Sequence, residues 1–243
     1  MSEYIKVFDF EISTYCICFL FGVIAGLILA LCIKKFFKVS VLDTIGLYLY
    51  ELVGLFIGSK LLYALENSSF SFFQTFLSGG FLFIGGILGG ILGIYIYSRQ
   101  YKLSFEKNLS SIIITFPAIY SFAKIGCFFA GCCYGIPYNG IRLLPIQLID
   151  SFSSFIICAM LFILIKMNFQ NKLAGLYFIF FSIARFSSDF FRGKIVKTIF
   201  DLSLTQLVCI ILFIAGVLLI TRANRDASYL TPSSSKQKQP QGL

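Results

Sequence analysis

The chain is written as long apolar runs separated by short polar breaks. Seven of them are of the order of the ~20 residues that cross the hydrocarbon core of a bilayer: Ile12–Ile33, Asp43–Leu65, Phe76–Tyr97, Leu109–Phe129, Ile146–Met167, Leu173–Phe191 and Ser203–Thr221. The runs are continuous and do not alternate apolar with polar, which predicts transmembrane helices and argues against a membrane β-barrel. The third is the weakest, because Gly79, Gly80, Gly85 and Gly86 loosen its start; a re-entrant segment is the alternative there. The first does not read as a cleaved signal peptide: Glu3, Asp9 and Glu11 precede it, and no small-residue cleavage site follows. The expected fold is all-α, with a polytopic membrane domain over residues 1–221 and a disordered tail over 222–243, rich in Ser, Gln, Lys and Pro.

Composition agrees, with 58% hydrophobic and only 13% charged residues. The net charge of +9 invites a nucleic-acid reading, and its distribution opposes one. Twelve cations follow runs one, three, five and seven: Lys34, Lys35, Lys38, Arg99, Lys102, Lys107, Lys166, Lys172, Arg222, Arg225, Lys236 and Lys238. The other side carries five, namely Lys6, Arg142, Arg192, Lys194 and Lys197. The positive-inside rule then predicts an outer N-terminus and a cytoplasmic C-terminus. Topology does not explain the outer Arg192/Lys194/Lys197 group.

Charges inside the runs are the first sign of chemistry. Lys60, Lys124, Arg185, Asp189, Glu51 and Asp150 lie within them or at their ends. A charge at mid-span costs about 2.5–3.5 kcal/mol on insertion scales, so each needs a partner, a wet cavity or an interface within reach. With the orientation above, Lys60, Lys124 and Arg185 fall in the outer halves of their spans. Tyr15, Gly79–Gly86, Gln147 with Asp150, and Ser203 with Gln206 fall at the same level. Facing one another, these residues make a cationic pocket for an anion, which in a membrane means a phosphate or carboxylate headgroup. Structural alternatives stay open: Lys60 can snorkel to the interface, and Arg185–Asp189 can form an i,i+4 pair. Gly22/Gly26, Gly54/Gly58 and Gly85/Gly89/Gly93 fit close helix packing.

The densest stretch is Lys124-Ile-Gly-Cys-Phe-Phe-Ala-Gly-Cys-Cys-Tyr-Gly135. Its C-x4-C-C spacing lacks the paired frame of a zinc site, and the chain contains no histidine, so no metal is assigned. A disulfide from Cys127 to Cys132 or Cys133 remains open on an oxidising face. Cys16, Cys18, Cys32, Cys158 and Cys209 read as small packing residues.

These blocks resemble the prolipoprotein diacylglyceryl transferase family of bacterial membrane enzymes, from about Tyr15 to Gln206. The Lys124–Gly135 stretch is similar to the family's Arg-x-Gly-Asn-Phe-x-Asn-Gly-Glu-x-x-Gly signature. Leu144-Pro-Ile-Gln-Leu-Ile-Asp150 resembles its His-Pro-x-Gln-Leu-Tyr-Glu run. Gly175-Leu176 with Arg185-Phe-Ser-Ser-Asp-Phe-Phe-Arg192 resembles its Gly-Leu…Arg-Phe-x-x-Glu-Phe-x-Arg segment, and Leu202-Ser-Leu-Thr-Gln206 its Leu-Ser-x-x-Gln. Ile84-Gly85-Gly86 stands in the place of a His-Gly-Gly motif, so the family histidine is absent. Lys124 replaces an arginine, Cys127 an asparagine and Cys132 a glutamate, which marks a divergent, cysteine-rich branch.

The resemblance implies a multi-pass enzyme of the bacterial cytoplasmic membrane. It would move the diacylglyceryl group of phosphatidylglycerol onto the lipobox cysteine of a secreted prolipoprotein, without a cofactor. The residue reading and the resemblance together assign Lys124, Arg185, Asp189 and Tyr15 to catalysis. They assign Gly85, Gly86, Lys60, Gly126, Cys127, Cys132, Gly135, Gln147 and Gln206 to substrate binding. Two other readings stay open: a relative acting on a different lipid or acceptor, and a non-catalytic lipid-binding or transport protein.

Overall fold

A computed structural model describes residues 4–7, 10–66, 82–138, 142–192, 197–199 and 202–230. The chain opens with a hairpin, β1 (Tyr4–Val7) paired antiparallel with β2 (Phe10–Ser13), and enters its first helix, α1 (Thr14–Phe37). Ile12, expected in the first span, therefore belongs to a strand, and the helix begins at Thr14. Next come α2 (Val41–Glu66), α3 (Phe83–Gln100), α4 (Phe105–Ile112) and α5 (Thr115–Phe129). A short ribbon, β3 (Pro137–Tyr138) with β4 (Arg142–Leu143), leads to α6 (Ile146–Lys166). A single 3-10 turn, Gln170–Lys172, then joins it to α7 (Leu173–Asp189). The strands β5 (Lys197–Ile199) and β6 (Leu202–Ser203) precede α8 (Leu204–Leu230).

Among the described residues, five stretches are long and apolar enough to cross a membrane: Thr14–Phe37, Val41–Leu65, Phe105–Phe129, Ile146–Lys166 and Leu204–Arg225. The protein is an all-α polytopic membrane protein carrying small two-stranded hairpins. Two further expected spans are shorter helices, α3 of 18 and α7 of 17 residues. At 1.5 Å per residue these reach about 25–27 Å, just short of the ~30 Å hydrocarbon thickness. The expected start of the third span at Phe76, with Gly79 and Gly80, lies outside the described residues. At the other end α8 continues to Leu230, past Thr221 where the apolar run stops; the remainder of the expected tail, 231–243, is not among the described residues.

The α4–α5 unit is the central helix. Its apolar window is 78% buried inside the protein, against 22–33% for the other four. It breaks at Ile113–Ile114 for a local reason: Pro117 cannot donate to the Ile113 carbonyl, and its ring crowds that oxygen. Ile112, Ile113, Ile114, Phe116 and Ile119 fill the core around it, with Tyr177 and Phe181 from α7. Around this axis α1 and α6 pack on α5, α7 on α6, α8 on α7, and α2 on α3.

Helices α2 and α3 meet through bare backbone. A Cβ on Gly54 would lie 2.2 Å from the Gly89 carbonyl oxygen, and one on Gly58 would lie 2.3 Å from that of Gly85. Only small residues allow helices this close. The outer seam forms an apolar groove of about 750 Å³, lined by Val53, Ile57, Leu61, Leu88 and Leu92 among others.

Candidate functional site

Three helices and one loop bring the buried charges together. Asp150 on α6 is the hub: its Oδ2 lies 3.7 Å from Lys124 Nζ, 3.5 Å from Arg185 Nη1 and 2.7 Å from Arg192 Nη2. The Tyr120 hydroxyl, on α5 one turn before Lys124, donates to the same oxygen at 3.3 Å. Asp189 is a second anion, 3.3 Å from Arg185 Nη2 and 3.8 Å from Arg192 Nε. Lys124, Arg185, Asp150 and Asp189 are all buried. Among the described residues, three cations thus face two carboxylates, an excess of one positive charge. The Arg192 Nε is buried and lacks a hydrogen-bond partner among the described residues. Such a group calls for an acceptor.

The loop after α5 owes its shape to a helix cap. Gly131 takes the left-handed conformation at φ +66°, its N–H reaches the Phe128 carbonyl, and the Cys132 N–H reaches the Cys127 carbonyl at 3.1 Å. This is a Schellman motif, in which the residue after the left-handed glycine lies over the residue one turn back in the helix. Here those two side chains are Cys132 and Cys127. Cys133 also has positive φ, 62°, and turns its thiol the same way, so the Sγ atoms of Cys127, Cys132 and Cys133 all lie within 4.8 Å of one another. The C-x4-C-C spacing lacks a paired frame, yet the left-handed glycine folds it into this convergence of three. All eight cysteines are free thiols, so neither disulfide left open above is formed. Hydrogen bonds from the Cys127 and Cys132 thiols push the Cys133 thiol below its usual pKa, and the nearby Lys124 and Arg192 charges act in the same direction.

Other expected site residues hold this assembly in place. Gln147 Nε2 donates to the Cys132 carbonyl at 2.6 Å, while its Oε1 is buried without a partner among the described residues. Gly135 passes against the end of α7, where a Cβ would lie 2.6 Å from the Phe191 carbonyl oxygen. The Ile136 N–H donates to that same carbonyl, fixing the loop beside Arg192. Gln206 and Ser203 form a capping box at the start of α8: the Ser203 N–H donates to Gln206 Oε1, and the Gln206 N–H donates to Ser203 Oγ. The Ser203 hydroxyl also donates to Asp189, which links α8 to the cluster.

The remaining assigned residues sit elsewhere. Tyr15 lies at the start of α1, its Cα and ring against Gly126, where a Cβ would meet them at 3.1 and 3.2 Å. Gly126 therefore serves the α1–α5 approach. Gly85 belongs to the α2–α3 seam, and Gly86 faces Leu55. Lys60 is buried on α2, whereas the charges converging on Asp150 come from α5, α7 and the turn after α7. Arg192 and Tyr120 were not picked out as site residues from the sequence, although Arg192 closes the Arg185–Arg192 block. The space beside Asp150 and Arg185 measures about 10 Å³, roughly one water's worth.

Comparison with known proteins fits these features. The family description "Prolipoprotein diacylglyceryl transferase" matches residues 3–222. A phosphatidylglycerol–prolipoprotein diacylglyceryl transferase of Clostridium tetani is 27% identical over 157 residues, covering 58% of this chain and 63% of that protein. One named as transferase 2 in Clostridium perfringens is 30% identical over 158 residues, covering 58% and 61%. In both, the aligned part spans under two thirds of the relative's length. The transferase of Campylobacter lari is 24% identical over 250 residues, covering 88% of this chain and 90% of its own. With the family matched along nearly the whole membrane part, the chain belongs to the prolipoprotein diacylglyceryl transferase family.

Proposed function

We propose that this protein transfers the diacylglyceryl group of phosphatidylglycerol, or a closely similar anionic phospholipid, to the cysteine thiol of a secreted prolipoprotein. The observation that carries the reading is the cluster in which Lys124, Arg185 and Arg192 converge on Asp150, with a positive charge in excess among the described residues. The names of the relatives support the donor and acceptor. In this reading α3 and α7 complete seven spans, the N-terminus faces outward, and the cluster lies toward the outer leaflet of the bacterial cytoplasmic membrane.

Each residue then has a task. The lipid phosphate displaces Asp150 from part of its cation set, so binding exchanges one anion for another at little electrostatic cost. Arg185 and Arg192 offer planar forks to phosphate oxygens, and Lys124 adds a point charge. As the glyceryl carbon–oxygen bond breaks, negative charge grows on the leaving phosphate, and these preplaced cations stabilise it. Asp189 and the Ser203–Gln206 box keep Arg185 and Arg192 aimed. The test is transfer of labelled diacylglyceryl from phosphatidylglycerol to a lipobox peptide by the purified chain. Transfer that falls sharply in Arg185→Ala and Lys124→Ala supports the reading; transfer unchanged in both refutes it.

A further inference from the structure

The reaction above leaves one step without a residue. The acceptor thiol must lose its proton to become a nucleophile, and this chain has no histidine to take it. Next to the cations lies a group that phosphate binding does not use, the three thiols of Cys127, Cys132 and Cys133.

Their arrangement is that of a ligand set. Around a tetrahedral zinc ion, with Zn–S distances near ~2.3 Å, ligand sulfurs stand about 3.8 Å apart. The observed separations, at most 4.8 Å, need only a small contraction. The helix cap fixes Cys132 over Cys127 before any ion arrives, and Gln147 clamps the Cys132 carbonyl. Packing does not account for the set, since Cys132 and Cys133 are exposed. A disulfide would use two sulfurs and strand the third. Lys124 stands one helical turn before Cys127 on the same helix, and Gly135 is bridged to Arg192.

We propose that Cys127, Cys132 and Cys133 bind a thiophilic divalent ion, Zn²⁺ by availability, and that the open fourth position receives the acceptor cysteine. This rests on the transferase reading of the same site. A thiol coordinated in this way is held as thiolate, its proton passing to water. Its sulfur attacks the glyceryl carbon that bears the phosphate ester. The C–S bond forms as the C–O bond breaks, and the bonding electron pair leaves on the phosphate oxygen as glycerol phosphate, held by Arg185 and Arg192. The product thioether is neutral and a weaker ligand, so it leaves the site.

Cobalt is the probe, because its visible bands report tetrahedral thiolate ligation. The reduced full-length chain in detergent is expected to bind one Co²⁺, and a lipobox peptide is expected to shift the bands, while its serine analogue does not. Cys132→Ser and Cys133→Ser should each weaken Co²⁺ binding more than tenfold, whereas Cys32→Ser on α1 should not. Absence of Co²⁺ binding, binding undiminished in both loop variants, or bands indifferent to the peptide overturns the proposal. The two readings separate cleanly. Full-rate transfer by Cys132→Ser removes the metal and leaves the transferase; peptide-responsive Co²⁺ without transfer from any phospholipid removes the transferase and leaves the metal site.

Discussion

The α2–α3 seam and the Asp150 cluster make an instructive pair. Both draw on residues that stand out in the sequence, glycines in one and charges in the other. In the seam, backbone meets backbone at Gly54–Gly89 and Gly58–Gly85, and the groove outside is apolar. In the cluster, five charged side chains pair with one another, and the space beside Asp150 and Arg185 is only about 10 Å³. In the seam the small residues let two helices approach backbone to backbone. Buried charges cost energy to keep, and in the proposed function a ligand completes the charge left unbalanced among the described residues.

The largest effect is expected at the hub. Asp150→Asn takes from Lys124 the carboxylate it faces and leaves Arg185 and Arg192 with Asp189, and a buried charge left uncompensated costs about 3–5 kcal/mol. Thermal unfolding in detergent should show a large loss, and glycerol phosphate should restore more stability to the variant than it adds to the parent. A variant that melts like the parent would mean the cations do not depend on Asp150. Next comes Arg192→Ala, which removes a cation that the proposed transfer sets against the leaving phosphate. Transfer should fall about 10²–10³-fold, comparable to losing one oxyanion-stabilising group, with little change in unfolding temperature.

The seam should respond in the opposite way. Gly54→Ala pushes a methyl group against the Gly89 carbonyl, and such overpacking costs about 1–3 kcal/mol. Unfolding temperature should drop while transfer per folded molecule stays near the parental value. If activity fell without a stability change, the seam would belong to the site after all. The smallest effect belongs to the capping box. Ser203→Ala removes a cap worth about 0.5–2 kcal/mol and loosens Asp189, so α8 should show faster amide exchange in its first turn.

Much of the fold was legible because apolar runs of membrane length have few other uses. The runs Asp43–Leu65, Leu109–Phe129, Ile146–Met167 and Ser203–Thr221 each overlap a helix with matching apolar content. The convergence of Lys124 and Arg185 was legible for a related reason: charges in such helices need partners. Less visible was which partner. Asp150 lies near the start of its helix, where a carboxylate can simply face water, so nothing along the chain marks it as the hub. Arg192 sits just past α7 and counts as an ordinary loop cation until the bridge to Gly135 turns it inward. Gln206 reads as a binding residue in sequence, yet it spends both observed hydrogen bonds on a cap. The cysteines were judged by linear spacing, whereas a left-handed glycine folds that spacing into a cluster.

The most direct measurement of the central claim is native mass spectrometry of the chain extracted with its own lipids, beside Arg185→Ala/Arg192→Ala. The account predicts an anionic phospholipid bound to the parent chain and lost from the double variant. An equally occupied double variant, or a parent that carries zwitterionic lipid just as readily, would contradict it.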